Sequence, residues 1–204
     1  MTNINLAIIY YSSTGTNYKL AMMAEEGAKE AGAEVRVLRV EELAPEAAID
    51  RNPAWRQHYD ETKNVPVVSL DDLVWADTLI FSVPTRFGNL PAQMKQFLDT
   101  TGGIWSQGKL ANKVVSAMSS ASNAHGGQEQ TITHLYTTMM HWGAIIAAPG
   151  YTSDVLYAAG GNPYGVSVTV DQEGNMKEDV EAAVKYQAQR TVQIARWVKE
   201  GLSR

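Results

Sequence analysis

The sequence predicts a doubly wound α/β fold, a parallel sheet with helices on both faces, built as one domain over residues 1–204. Three observations carry this expectation. Short apolar runs alternate with amphipathic helical stretches along the chain. The internal runs are almost continuously apolar, as strands covered on both faces are. A hydroxyl-rich loop joins the first run to the first helix, at the kind of junction where such sheets place ligands.

The elements follow in order. Leu6 to Tyr11 forms the first apolar run, and Leu20, Ala24 and Ala28 then share one face of a helix. Gly32 punctuates, and Glu34 to Val40 reads as a second strand. Thr78 to Val83 is a third and Val114 to Ser119 a fourth. Ala144 to Ala148 begins a fifth, which Val166 to Val170 resumes after an interruption. Helices are expected near Pro91 to Thr100, with proline in the first turn, and at Gln128 to His141. A last helix runs from about Glu178 to Gly201, with Val180, Val184, Ala188, Val192 and Ala195 on one stripe. Three segments break the rhythm: Asp50 to Ser69 reads as an excursion rather than a packed element, Gly102 to Lys109 holds Trp105, and Gly150 to Gly165 is a long loop rich in Tyr, Gly and Pro.

Composition narrows the class. An apolar fraction of 45% fills a core, and a net charge of −5 with no basic tract argues against nucleic acid as a partner. With no cysteine, disulfides, thiolate metal sites and cysteine nucleophiles are excluded, and no metal site is expected. The opening residues carry no basic stretch followed by an apolar one, and no apolar run reaches the ~18 residues of a membrane helix. A cytoplasmic protein without a membrane partner is the expectation.

The chemistry is expected where the strands end. The first loop is Ser12-Ser13-Thr14-Gly15-Thr16-Asn17, directly before the first helix. Backbone N–H groups converge at such a junction, the helix start carries about half a positive charge, and hydroxyls add donors. No lysine lies in the loop, so it is not the Gly-Lys-Ser/Thr phosphate loop of nucleotide-hydrolysing enzymes. Neutral donors suit a single terminal phosphate such as that of FMN; the same residues equally make a plain turn and cap. The second loop, Pro84-Thr85-Arg86-Phe87-Gly88-Asn89, follows the third strand. The third, Ser119-Ser120-Ala121-Ser122-Asn123-Ala124-His125-Gly126-Gly127, follows the fourth. Together they offer one phosphate site and two walls whose amides can flank a flat heterocycle. Each alone is ordinary turn chemistry.

On these residues the chain resembles the flavodoxin-like FMN proteins of the tryptophan-repressor-binding-protein (WrbA) family, NAD(P)H:quinone oxidoreductases. The likeness runs through Tyr10-Tyr11-Ser12 with Gly15, Pro84 to Asn89, Phe97-Leu98-Asp99 with Thr101 to Trp105, Gly126 to Thr131, and Pro163-Tyr164-Gly165. It implies a five-stranded parallel sheet in the order 2-1-3-4-5, with Gly150 to Gly165 splitting the last strand. The resemblance also implies FMN with its phosphate in Ser12 to Asn17, its ring against Thr85, Arg86 and Phe87, and a far wall at Ser120 to Gly126. NADH or NADPH is the implied donor, quinones are the implied acceptors, and a homotetramer, a dimer of dimers, is the implied assembly.

His141 matches the family's flavin-contacting histidine, able to orient the ring or pass a proton, though a helix-end histidine is ordinarily a cap. Trp105 matches an aromatic at the substrate mouth beside Phe87, and Thr14 a position near the nicotinamide. Arg86 reads either as a surface ion-pair partner or as a cation favouring the anionic reduced flavin. The chain departs from the family at Trp142, where a second histidine is usual, at Thr14, where relatives carry a bulkier side chain, and in a third loop longer by one residue. No Gly-x-Gly-x-x-Gly occurs, so donor and acceptor are expected to use one slot in turn, with ping-pong kinetics. A flavodoxin-type one-electron carrier and a flavin or azo-compound reductase share this pocket and stand as alternatives.

Overall fold

The protein is described by a computed structural model over residues 2–203. In chain order its elements are β1 (Ile4–Tyr10), α1 (Thr16–Glu30), β2 (Ala33–Arg39), α2 (Glu46–Ile49), α3 (Pro53–Thr62), α4 (Leu70–Trp75), β3 (Thr78–Pro84), α5 (Ala92–Asp99), α6 (Gly102–Ser106), β4 (Val114–Ala121), α7 (Gln128–His141), β5 (Ile145–Ile146), α8 (Asp154–Ala158), β6 (Ser167–Thr169) and α9 (Glu181–Leu202). Every strand pairing is parallel, in the order β2-β1-β3-β4-β5, with β6 also on β4. This is the doubly wound, flavodoxin-like sheet that the sequence predicts.

Burial explains the layers. The central strands β3 and β4 are buried at every position, and their alternate residues feed two separate cores. On one face Ala7, Ile9, Leu79 and Phe81 meet Met94 and Leu98 of α5 and Ile132, Leu135 and Met139 of α7. On the other, Leu6, Ile8 and Ile80 meet Leu20, Ala24 and Ala28 of α1 and Val184, Ala188 and Val192 of α9. The stripes expected on the first and last helices are therefore the buried ones. The fifth strand is split: β5 pairs with the start of β4 (Val114↔Ile145) and β6 with its end (Ser119↔Ser167), and the insertion lies between them. Tyr151 and Tyr157 stack on that insertion with ring centroids 5.2 Å apart.

Two expectations need correction. Residues 50–69 are not an unpacked excursion: they contain α3, capped by Asn52, whose Oδ1 accepts from the backbone of Ala54 and Trp55, with Pro53 opening the helix. Its inward residues are His58 and Thr62, which are polar, so the segment shows no apolar periodicity to betray it. The fourth strand continues to Ala121, so Ser119, Ser120 and Ala121 belong to the sheet rather than to the loop.

Candidate functional site

The first loop is braced from within. β1 delivers the chain to Ser12, whose Oγ accepts from the N–H groups of Gly15 (3.0 Å) and Asn17 (3.2 Å). Gly15 sits in the left-handed region at φ 98°, which turns the chain into α1 and which a side chain would strain. Asn17 is buried and holds the loop to the sheet: its amide donates to Ser120 Oγ at 2.7 Å, while Ser82 Oγ donates to the Asn17 carbonyl at 3.0 Å. No side chain caps α1, its first turn carries no acid, and the hydroxyls of Thr14 and Thr16 make no hydrogen bond among the described residues. An uncancelled helix start beside unengaged hydroxyls fits a terminal phosphate. Behind the loop, His58 Nδ1 lies 3.5 Å from the point where a Gly15 side chain would begin, closing the underside. Burial pushes the His58 imidazole below its usual pKa, which keeps it neutral. Burial and the Glu42 carboxylate hold the Tyr11 phenol far above its usual range, so Tyr11 transfers no proton near neutral pH.

Thr85 ties the second loop to the third. Its N–H donates to the Ser120 carbonyl (2.8 Å), its hydroxyl donates to the Gly126 carbonyl (3.2 Å) and accepts from the Gly88 N–H (3.1 Å), and Thr131 Oγ1 lies 2.9 Å away. Arg86 and Asn89 close the turn by exchanging backbone hydrogen bonds of 2.8 and 3.0 Å. Within it Phe87 adopts φ 53° and is fully exposed. A left-handed conformation costs a non-glycine residue about 1–2 kcal/mol, and exposing an aromatic ring forgoes its burial. Strain and exposure together leave the Phe87 ring available to a ligand in the cleft it borders. The Arg86 guanidinium reaches Ser13 Oγ at 3.3 Å, clasping the first loop to the second.

The three loops enclose one open cleft of about 790 Å³ at the carboxyl ends of the strands. Ser12, Ser13, Thr14, Thr16 and Asn17 line one end; Pro84, Thr85, Arg86 and Phe87 a side; Ser120, Ala121, Ser122, Asn123 and Gly126 the facing side. Gly15, Gly88, Asn89, Ala124 and His125 shape these loops without lining the cleft. Ser119 is fully buried within the sheet, away from it.

Trp105 and His141 meet each other, the indole Nε1 donating to the His141 carbonyl at 2.9 Å, but neither borders the cleft of its own chain. The reason is geometric. α7 begins next to the third loop, and its 14 residues place His141 about 20 Å along the helix from that start at ~1.5 Å per residue. Trp142 is a core residue, not a site aromatic. The cleft also recruits residues that the sequence reading missed: Lys19, Asn52 and Ala54, and the turn from Val170 to Asn175. The signals were present in Asn52-Pro53, a helix-start pair, and in Asp171-Gln172-Glu173-Gly174-Asn175, a turn composition. Among the described residues no group of three or more His, Asp or Glu side chains is arranged to hold a metal, and no helix is long and apolar enough to cross a membrane.

Comparison with known proteins identifies the family and the fold. Residues 4–155 match the family model described as NADPH-dependent FMN reductase. A Deinococcus radiodurans protein named NAD(P)H dehydrogenase (quinone) is 50% identical over 191 residues, covering 94% of this chain and 95% of that protein. Proteins of the same name from Paracoccus denitrificans and Geotalea daltonii are 40% and 37% identical, over 82% and 94% of this chain and 80% and 97% of their own lengths. Among solved structures, a flavodoxin WrbA-like protein from Agrobacterium tumefaciens superposes with a TM-score of 0.58 at 18% identity, covering 97% of this chain and 98% of that one. An archaeal flavodoxin gives 0.57 at 15% identity, covering 96% and 99%. These distant structures agree on the fold, and the near relatives carry the family: the chain belongs to the NADPH-dependent FMN reductase family.

Proposed function

We propose that the protein is an FMN-dependent NAD(P)H:quinone oxidoreductase of the WrbA type. The observation that carries this is the convergence of three loops on one open cleft, with a cradle of unengaged donors at one end and an exposed, strained Phe87 at its side. The name NAD(P)H dehydrogenase (quinone), carried by relatives at 37–50% identity, supports it.

FMN, when bound, would supply the two-electron redox chemistry between NAD(P)H and a quinone, the second proton of the quinol coming from solvent. The chain supplies position. The start of α1 with Thr14 and Thr16 would hold the phosphate, and Ser12 braces the loop by accepting from the N–H groups of Gly15 and Asn17. Thr85, Arg86 and Phe87 would flank the ring from one side, and Ser120, Ala121, Ser122, Asn123 and Gly126 from the other. The open cleft lacks a separate dinucleotide-binding motif, so donor and acceptor would use one slot in turn, in a ping-pong cycle. Trp105 and His141, which do not line their own cleft, act on the ring only if a neighbouring copy brings them there. A cytoplasmic homotetramer provides such neighbours, and the exposed Tyr151 and Tyr157 offer it contact surface.

Initial rates of NADH and NADPH oxidation at several quinone concentrations test this reading. Parallel double-reciprocal lines and FMN as the released flavin are expected. Intersecting lines overturn the single slot, and stoichiometric FAD overturns the cofactor. The family description favours a second reading, reduction of free flavin, which predicts FMN lost on desalting and turnover that rises with added FMN.

A further inference from the structure

We infer that Lys19 is a cationic ligand of the cofactor's terminal phosphate and makes the cleft select a phosphorylated flavin over riboflavin. This rests on the FMN reading above. The first loop contains no lysine, and its neutral donors are partly spent: Ser12 Oγ takes the N–H groups of Gly15 and Asn17, and the Asn17 amide is committed to Ser120. A phosphomonoester near neutral pH carries about −1.5 to −2 charges, more than the half charge of a helix start offsets. The missing charge stands one helical turn further on. Lys19 lies three residues after Thr16, so both sit on one face of α1, and both line the cleft.

The ammonium is free to act there. Lys29, Lys63, Lys95, Lys185 and Lys199 each lie against a carboxylate. Lys19 has no such partner among the described residues, and the first turn of its helix carries no acid. The opposite wall sharpens the need. Asp171 and Glu173 border the same cleft, where Lys19 and Arg86 are the cationic lining residues. Without Lys19 the lining is net negative and opposes a dianion. The Asp171 carboxylate is held by its own turn, accepting from Asn175 N–H at 2.7 Å and from Asn175 Nδ2 at 3.1 Å, and it forms no ion pair with Lys19 among the described residues. Burial, against the opposing Glu61 carboxylate, holds His58 behind the loop below its usual pKa, so it supplies no competing cation near neutral pH.

Flavin fluorescence titrations of FMN and of riboflavin, at low and high NaCl, test the assignment on wild type, Lys19→Gln and Lys19→Arg. Lys19→Gln is expected to weaken FMN about 3- to 10-fold at low ionic strength, to flatten the salt dependence, and to leave riboflavin affinity unchanged. Lys19→Arg is expected to restore most of the FMN affinity. Equal weakening of FMN and riboflavin overturns the inference in favour of a packing role. Unchanged FMN affinity in Lys19→Gln overturns it while the FMN reading survives. Failure of the wild type to bind FMN overturns both.

Discussion

Gly127→Ala tests whether the second and third loops are held in contact by shape. Gly127 opens α7 at φ 91° and ψ 27°, and an added Cβ would lie 2.7 Å from Gly88 Cα and 3.2 Å from Gly88 N. The left-handed backbone costs alanine about 1–2 kcal/mol. Relieving a backbone overlap costs a further ~1–3 kcal/mol, because neither partner is a flexible side-chain tip. The expected destabilisation is therefore about 2–5 kcal/mol. With a urea slope of ~2–3 kcal/mol/M, the unfolding midpoint should fall by roughly 0.7–2.5 M. Moving Gly88 also shifts the turn that carries Arg86 and Phe87, so FMN affinity should fall in protein that is still folded. Gly103→Ala is the control, since a Cβ there meets nothing within 4 Å and the backbone is not left-handed. An unchanged midpoint and unchanged FMN affinity in Gly127→Ala would refute the reasoning.

Asn17→Ala should cost about 1–3 kcal/mol in urea unfolding and weaken FMN, since it removes the buried amide that donates to Ser120 Oγ and accepts from Ser82 Oγ; an effect confined to FMN affinity would mean that Asn17 does not anchor the loop. His58 titrates below its usual pKa of 6.5 in the folded chain, so the unfolded chain binds a proton more readily. The associated stability is full above about pH 6.5 and is lost as pH falls toward the folded value. Urea midpoints measured from pH 7.5 to 5 should therefore show a fall that His58→Gln flattens, and identical profiles would count against a buried neutral imidazole. Light scattering coupled to size exclusion should give a tetramer, with specific activity dropping on dilution below its dissociation constant; a fully active monomer at low micromolar concentration rejects completion of the site by a neighbour.

The sequence alone determined the sheet and the loops that end on it. Alternating apolar strands and striped helices are local patterns, because burial on both faces demands continuous apolar runs and burial on one face demands a 3.6-residue stripe. Hydroxyl and glycine clusters at the strand ends were legible for the same reason: their turn chemistry is written in consecutive residues. Only the tertiary structure decided which residues share the cleft. α3 was hidden because its inward face presents His58 and Thr62 instead of an apolar stripe, and Lys19 was passed over because it stands inside a helix rather than in the loop. The turn at 170–175 reaches the cleft because β6 ends beside β4, a pairing between segments more than 40 residues apart in sequence. Trp105 and His141 read as site residues by family likeness, yet the length of α7 holds them away from their own cleft. Distance across a fold is set by packed elements, and no local pattern encodes it.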